Sequence, residues 1–121
     1  MSQASTTDPQ STLSTHILDL DAGAPASGVA VTLHQLSPTT QELSRAITDS
    51  DGRISEWSTT LELNLGPGTY ELRFAVQDWY KTNNSDCFYP HISVAFSIRD
   101  KRHYHVPLLL NRHGYSTYRG S

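Results

Sequence analysis

The sequence holds a single cysteine, Cys87, so no disulfide can form within the chain and the core must hold the fold. A lone thiol suits a reducing compartment. No run of like charge is present either. The net charge is -3, the pI is near 6.0, and no basic stretch offers itself to phosphates, so no nucleic-acid partner is expected. No apolar run approaches the roughly 18 residues that span a bilayer, and no membrane partner is expected. The first fifteen residues are rich in Ser, Thr and Gln and lack a cationic start followed by an apolar stretch, so they do not read as a secretory signal. Several enzyme classes lose their motifs as well. There is no nucleophile elbow around a serine, no glycine-rich phosphate loop, and no Cys–His pair in a recognisable context. With 121 residues the chain has room for one core, not two.

What is present is alternation. Val29, Val31 and Leu33 alternate with Ala30, Thr32 and His34. Tyr70, Leu72, Phe74 and Val76 alternate with Glu71, Arg73, Ala75 and Gln77. The same period of two runs through Ile92, Val94, Phe96 and Ile98, and again through Tyr104, Val106, Leu108 and Leu110. Successive side chains point to opposite faces of a strand, so each run reads as a half-buried strand. Turns punctuate them at Asp21–Gly28, Asp51-Gly52 and Gly66-Pro67-Gly68. The expectation is an all-β, antiparallel sandwich of about eight strands. One short helix is expected over Gln77–Asn84. Residues 1–12 are expected to form a disordered tail, and residues 13–121 one domain. The strand from His103 to Leu110 stands apart, because Leu109 makes its second face partly apolar too. Two buried faces in a two-layer sandwich call for a third covering surface, and a subunit interface is the simplest one.

Six histidines in so small a chain point to chemistry. His103 and His105 lie two apart and therefore share a face. Two imidazoles so placed suit a metal, an acid–base pair, or simply a solvated polar face. No further ligands stand nearby in sequence to complete a metal site, and none is expected. His16 opens the strand-like segment His16-Ile17-Leu18-Asp19, and Arg53 follows the Asp51-Gly52 turn. His34, His91 and His113 have no evident partner and read as surface residues. Near the end, Tyr115–Tyr118 is strand-like and leads into Arg119-Gly120-Ser121. An arginine beside a free carboxylate would suit a polar, anionic ligand.

Three stretches carry a resemblance. The run His16-Ile17-Leu18-Asp19 with Gly23-Ala24-Pro25 and Val29-Ala30-Val31, the turn Thr48–Arg53, and His103–Leu110 followed by Gly114–Thr117 together resemble the transthyretin family. They occur in order over about residues 13–121. The resemblance implies a transthyretin-like sandwich and a homotetramer with sites in a channel between dimers. His16, Arg53, His105 and the terminal Tyr118-Arg119-Gly120-Ser121 resemble the family's 5-hydroxyisourate hydrolase branch, where hormone carriers have lysine in place of the first histidine and lack the terminal motif. By resemblance, then, the substrate is 5-hydroxyisourate of the urate-degradation pathway, opened by water. His16, Arg53, His105 and Ser121 are the expected catalytic set, and His16, Arg53, Tyr118, Arg119, Gly120 and Ser121 the substrate-binding set. No cofactor is expected, and the expected compartment is the cytoplasm, or the peroxisome in a eukaryote. The alternative is a non-catalytic small-ligand carrier. One departure is Asn111-Arg112-His113, where the family usually has Ser-Pro and an aromatic residue.

Overall fold

The computed structural model of the protein describes residues 12–57 and 65–120. Among these, nine strands and one helix follow the alternating runs. They are β1 (Thr12–Asp19), β2 (Ala24–Pro25), β3 (Ala30–Gln35), β4 (Gln41–Ile47), β5 (Arg53–Ile54), β6 (Gly68–Phe74), α1 (Val76–Thr82), β7 (Ile92–Ile98), β8 (His103–Asn111) and β9 (Gly114–Thr117). One sheet runs β4-β3-β6-β7. The other runs β2-β1-β8-β9, with β5 paired to the same edge of β1 as β2. The all-β sandwich with one short helix is therefore the architecture. The helix starts one residue and ends two residues earlier than the sequence suggests. β4 escapes the sequence reading because it is an edge strand: among its residues only Ser44 is buried, and an edge needs little apolar alternation.

The inward side chains make the core. Ile17 of β1, Leu33 of β3, Leu72 and Phe74 of β6, and Leu108 and Leu110 of β8 are fully buried between the sheets. Thr15 is buried among them, and its hydroxyl is satisfied by donating to the Val106 carbonyl at 2.6 Å. Leaving such a group unpaired would cost about 1–3 kcal/mol, so the bond ties β1 firmly to β8. One pairing departs from the antiparallel rule. β1 runs parallel to β8, from Thr12 opposite His103 to Asp19 opposite Leu110. This puts two strands some ninety residues apart side by side, with Ser14 opposite His105 and His16 opposite Pro107.

His34 corrects an expectation. It is not a surface residue but is 8% exposed, with its Nε2 2.9 Å from the Thr32 hydroxyl. β3 is a central strand, and long side chains from both neighbours cover its outer face: Glu42 and Glu71 stand across from His34 in register. Burial, and next the Arg73 charge, hold its imidazole below the ordinary range, while the two glutamates oppose them. His91 and His113 are exposed, as the sequence suggests. The Asn111-Arg112-His113 departure forms a tight connection between β8 and β9, in which the His113 amide donates to Asn111 Oδ1 at 2.9 Å.

Candidate active site

The site lies on the outer face of the five-stranded sheet and is assembled from the ends of distant segments. β1 supplies His16 and β5 supplies Arg53, directly opposite each other in an antiparallel pair. The turn before Arg53 explains that placement. The Asp49 carboxylate accepts from the backbone amides of Asp51 at 2.8 Å and Arg53 at 3.0 Å, a local turn that aspartate favours. These bonds, above all the one from Arg53, hold the Asp49 carboxyl below the usual range, and the Arg53 and His16 charges add to the effect. Gly52 has a φ of +74°, and a Cβ there would lie 2.5 Å from the Ile17 carbonyl oxygen. Only glycine lets the turn press against β1, where the Ile17 amide donates to the Gly52 carbonyl at 2.7 Å. Among the described residues no ion pair engages the Arg53 guanidinium, and its charge stays available.

β8 supplies His105, which is half-buried between two neighbours. On one side is β1, where the Ser14 hydroxyl lies 2.8 Å from His105 Nδ1. On the other side the end of the chain returns: Gly120 pairs with His105, and its amide donates to the His105 carbonyl at 2.8 Å. The contact is so close that a Cβ on residue 120 would overlap His105 Cδ2. His105 Nε2 has no hydrogen-bond partner among the described residues. Burial, followed by the electrostatic influence of His103, Arg53 and His16, holds this imidazole below its ordinary range; a hydrogen bond at Ser14 opposes them. At neutral pH it is therefore a neutral group with a bare or protonated Nε2, according to its tautomer.

The structure thus brings His16, Arg53, His105 and Gly120 to one face. Tyr118 is 57% exposed and lines a cleft beside His105. Arg119 does not join them. Its guanidinium lies 4.6 Å from the centroid of the Tyr104 ring, on the opposite side of the tail. Ser121 lies outside the described residues. A cleft of about 270 Å³ adjoins His105 between the tail and β7, lined by Val94, Phe96, Tyr104, Val106 and Tyr118 among others. It contains neither His16 nor Arg53; Arg53 is exposed, and His16 is half-buried like His105. Ser14 and Asp49 were missed by sequence reasoning. Ser14 lies two residues before His16 and so shares its face, but only the parallel β1–β8 register reveals what it touches. Among the described residues no three His, Cys, Asp or Glu side chains gather as metal ligands.

An antiparallel two-sheet sandwich with a parallel β1–β8 seam and a His–Arg–His face closed by its own C-terminal segment defines a transthyretin-like protein with a polar site. The sequence profile described as HIUase/Transthyretin family matches residues 13–120, and the chain belongs to that family. A 5-hydroxyisourate hydrolase of Salmonella typhimurium is 45% identical over 112 residues, covering 90% of this chain and 80% of its own length. The solved 5-hydroxyisourate hydrolase of Klebsiella pneumoniae superposes with a TM-score of 0.79 at 36% identity, over 91% of this chain and 99% of that one. Transthyretin of Sparus aurata superposes comparably, with a TM-score of 0.80 over 90% of this chain and 96% of that one. At 24% identity that likeness is one of fold.

Proposed function

We propose that this protein is a 5-hydroxyisourate hydrolase, a cyclic-amide hydrolase of urate degradation. The observation that carries the reading is the grouping of His16, Arg53 and His105 on one face, in a chain similar at 45% identity to a hydrolase of that name. A carrier of apolar guests has no use for three such groups. In the proposed reaction water attacks a ring carbonyl. His105 Nε2 takes its proton, and Arg53 stabilises the negative charge that grows on the carbonyl oxygen. The ring C–N bond then breaks, and the departing nitrogen receives the proton that His105 took from water, which restores the neutral base. His16, beside Arg53, shares in orienting the ring, with Tyr118 and Gly120 at its edge. Ser121 is assigned a hydrogen bond to substrate, and Arg119 holds the tail through Tyr104. No cofactor is invoked. The test is decay of freshly generated 5-hydroxyisourate, followed by ultraviolet absorbance in excess chelator with and without protein. Faster decay with protein is expected; an unchanged rate refutes the reading.

A pH profile follows from the site. The competent form of His105 is neutral, and burial with neighbouring cations lowers its proton affinity. Protonation therefore inactivates only at lower pH than for a free imidazole, and the acid limb of kcat/KM falls below about 6.5. A limb lying above that value would remove His105 from the role of base.

The working unit is proposed to be a homotetramer with sites between chains. Three features support it: the exposed Arg53 beside half-buried His16, the half-buried Leu109 on the outer side of β8, and exposed Phe88, Tyr115 and Tyr118. Light scattering should give four times the chain mass, and a fully active monomer would contradict it. The hydrolase domain is assigned to residues 13–121, joined by Thr12, which was expected in the tail but is the first residue of β1, opposite His103. The rest of the expected tail, residues 1–11, lies outside the described residues. No helix among the described residues is long and apolar enough to cross a membrane, and the cytoplasm, or the peroxisome in a eukaryote, is the proposed compartment.

A further inference from the structure

We propose that His103, acting through Ser14, sets the tautomer of His105 and so decides whether His105 can act as a base; this rests on the hydrolase reading above. The observation is an unbroken row of hydrogen bonds along the β1–β8 seam. Thr12 Oγ1 lies 2.6 Å from His103 Nδ1, Ser14 Oγ lies 2.8 Å from His103 Nε2, and the same Ser14 Oγ lies 2.8 Å from His105 Nδ1. The parallel register produces the row, because Thr12 stands opposite His103 and Ser14 opposite His105. The two rings lie nearly parallel, with centroids 6.5 Å apart and planes inclined by 19°.

Proton counting gives the row its consequence. A serine hydroxyl has one proton and two lone pairs. Ser14 Oγ has no third hydrogen-bond partner among the described residues; two donating rings would leave the serine proton without an acceptor among them, so the row is complete only when that proton goes to one ring or the other. In one arrangement His105 Nδ1–H donates to Ser14, Ser14 donates to a bare His103 Nε2, and His103 Nδ1–H donates to Thr12. His105 Nε2 is then bare and can take a proton. In the other arrangement every bond reverses: Thr12 donates to His103, His103 Nε2–H donates to Ser14, and Ser14 donates to His105 Nδ1. His105 then carries its proton on Nε2 and has nothing to accept with.

Only the first arrangement suits a general base, and it survives proton uptake. Once Nε2 is protonated, Nδ1–H still donates to Ser14, and the new charge is stabilised by that bond. A protonated His103 abolishes this arrangement. With both ring nitrogens carrying protons it can only donate to Ser14, so His105 Nδ1 becomes the one acceptor left to the serine proton among the described residues, and the proton turns toward it. The remaining groups facing the pair are His16 of β1 and Arg53 of β5, both of which act on His105. Beyond the start of β8, Arg102 is paired with Asp100 at 3.0 Å. Arg119 of the tail is stacked on Tyr104. None of these supplies Ser14 with a competing acceptor. His103 and Ser14 are thus positioning residues: neither needs to touch the substrate.

The test is nitrogen NMR of the full-length, substrate-free protein with labelled histidines, recorded well above pH 6.5. The expected result is His105 in the Nδ1–H form, its conversion to Nε2–H in Ser14→Ala, and retention of Nδ1–H in Ser14→Thr, which keeps the hydroxyl. Kinetics should follow, with kcat lowered about 10-fold in Ser14→Ala and KM changed by less than about 2-fold. His103→Ala, which removes the acceptor of the Ser14 proton, should turn that proton toward His105 Nδ1 and give the Nε2–H form. Nε2–H in the wild type, or the same tautomer in wild type and Ser14→Ala, would overturn the proposal. The NMR result stands whether or not 5-hydroxyisourate is the substrate, so the two readings fail separately.

Discussion

Arg53→Ala and His105→Asn are each expected to lower kcat/KM by at least about 100-fold, with the melting temperature close to that of the wild type. The size follows from the two roles. A positioned base contributes about 10²–10⁴-fold, and one charge-stabilising group is worth a comparable factor. The separation of activity from stability follows from placement. Arg53 is exposed, and the structural demands at its turn fall on Asp49 and Gly52, which grip the backbone rather than the guanidinium. His105 offers only its Nδ1 to Ser14, a bond that the asparagine side chain can partly replace. Arg53→Lys is the informative companion. It keeps the charge but loses the planar fork, so partial activity would assign Arg53 to charge stabilisation and none to paired hydrogen bonding. Near-wild-type rates in both Arg53→Ala and His105→Asn would take the chemistry away from this face.

The second large effect is expected at the end of the chain. Removing Tyr118–Ser121 should leave a folded protein with at least about 100-fold less activity, the scale set by loss of a group that orients substrate. Exposed termini usually tolerate deletion, so the expectation needs a specific cause. The cause is contact: the Gly120 amide is bonded to the His105 carbonyl, and Arg119 is stacked on Tyr104 one residue away. Losing the segment would uncover one side of His105 while leaving β9 paired to β8 through Thr117. A single substitution sharpens the test. Gly120→Ala introduces one methyl group that would overlap the His105 ring, so either the ring turns or the tail lifts. It should lower kcat/KM strongly with little change in melting temperature, because no core residue is involved. Full activity in both variants would make the tail an accessory and leave the choice between hydrolase and carrier without its local support.

Much of this protein could be read from its sequence because the information is local. Alternation in 70–76, 92–98 and 104–110 comes from the geometry of a single strand, which sends neighbours to opposite faces whatever they later pair with. The turn at Asp51-Gly52, the helix near 77–84 and the kinship of His16, Arg53 and His105 with one family were legible for the same reason. The edge strand β4 and the burial of His34 were not, since each depends on which strands lie alongside. Nor could the sequence order the site. His16 and Arg53 meet only because β5 pairs with β1, and His105 meets Ser14 only because β1 runs parallel to β8 across a separation of 91 residues. The return of Gly120 onto His105, and the turning of Arg119 away from the same face, depend on the register of the final pairing. Composition and periodicity determined the strands, their apolar faces and the residue types able to do the chemistry. Register between distant segments, chosen by how the whole core packs, decided which of those residues touch.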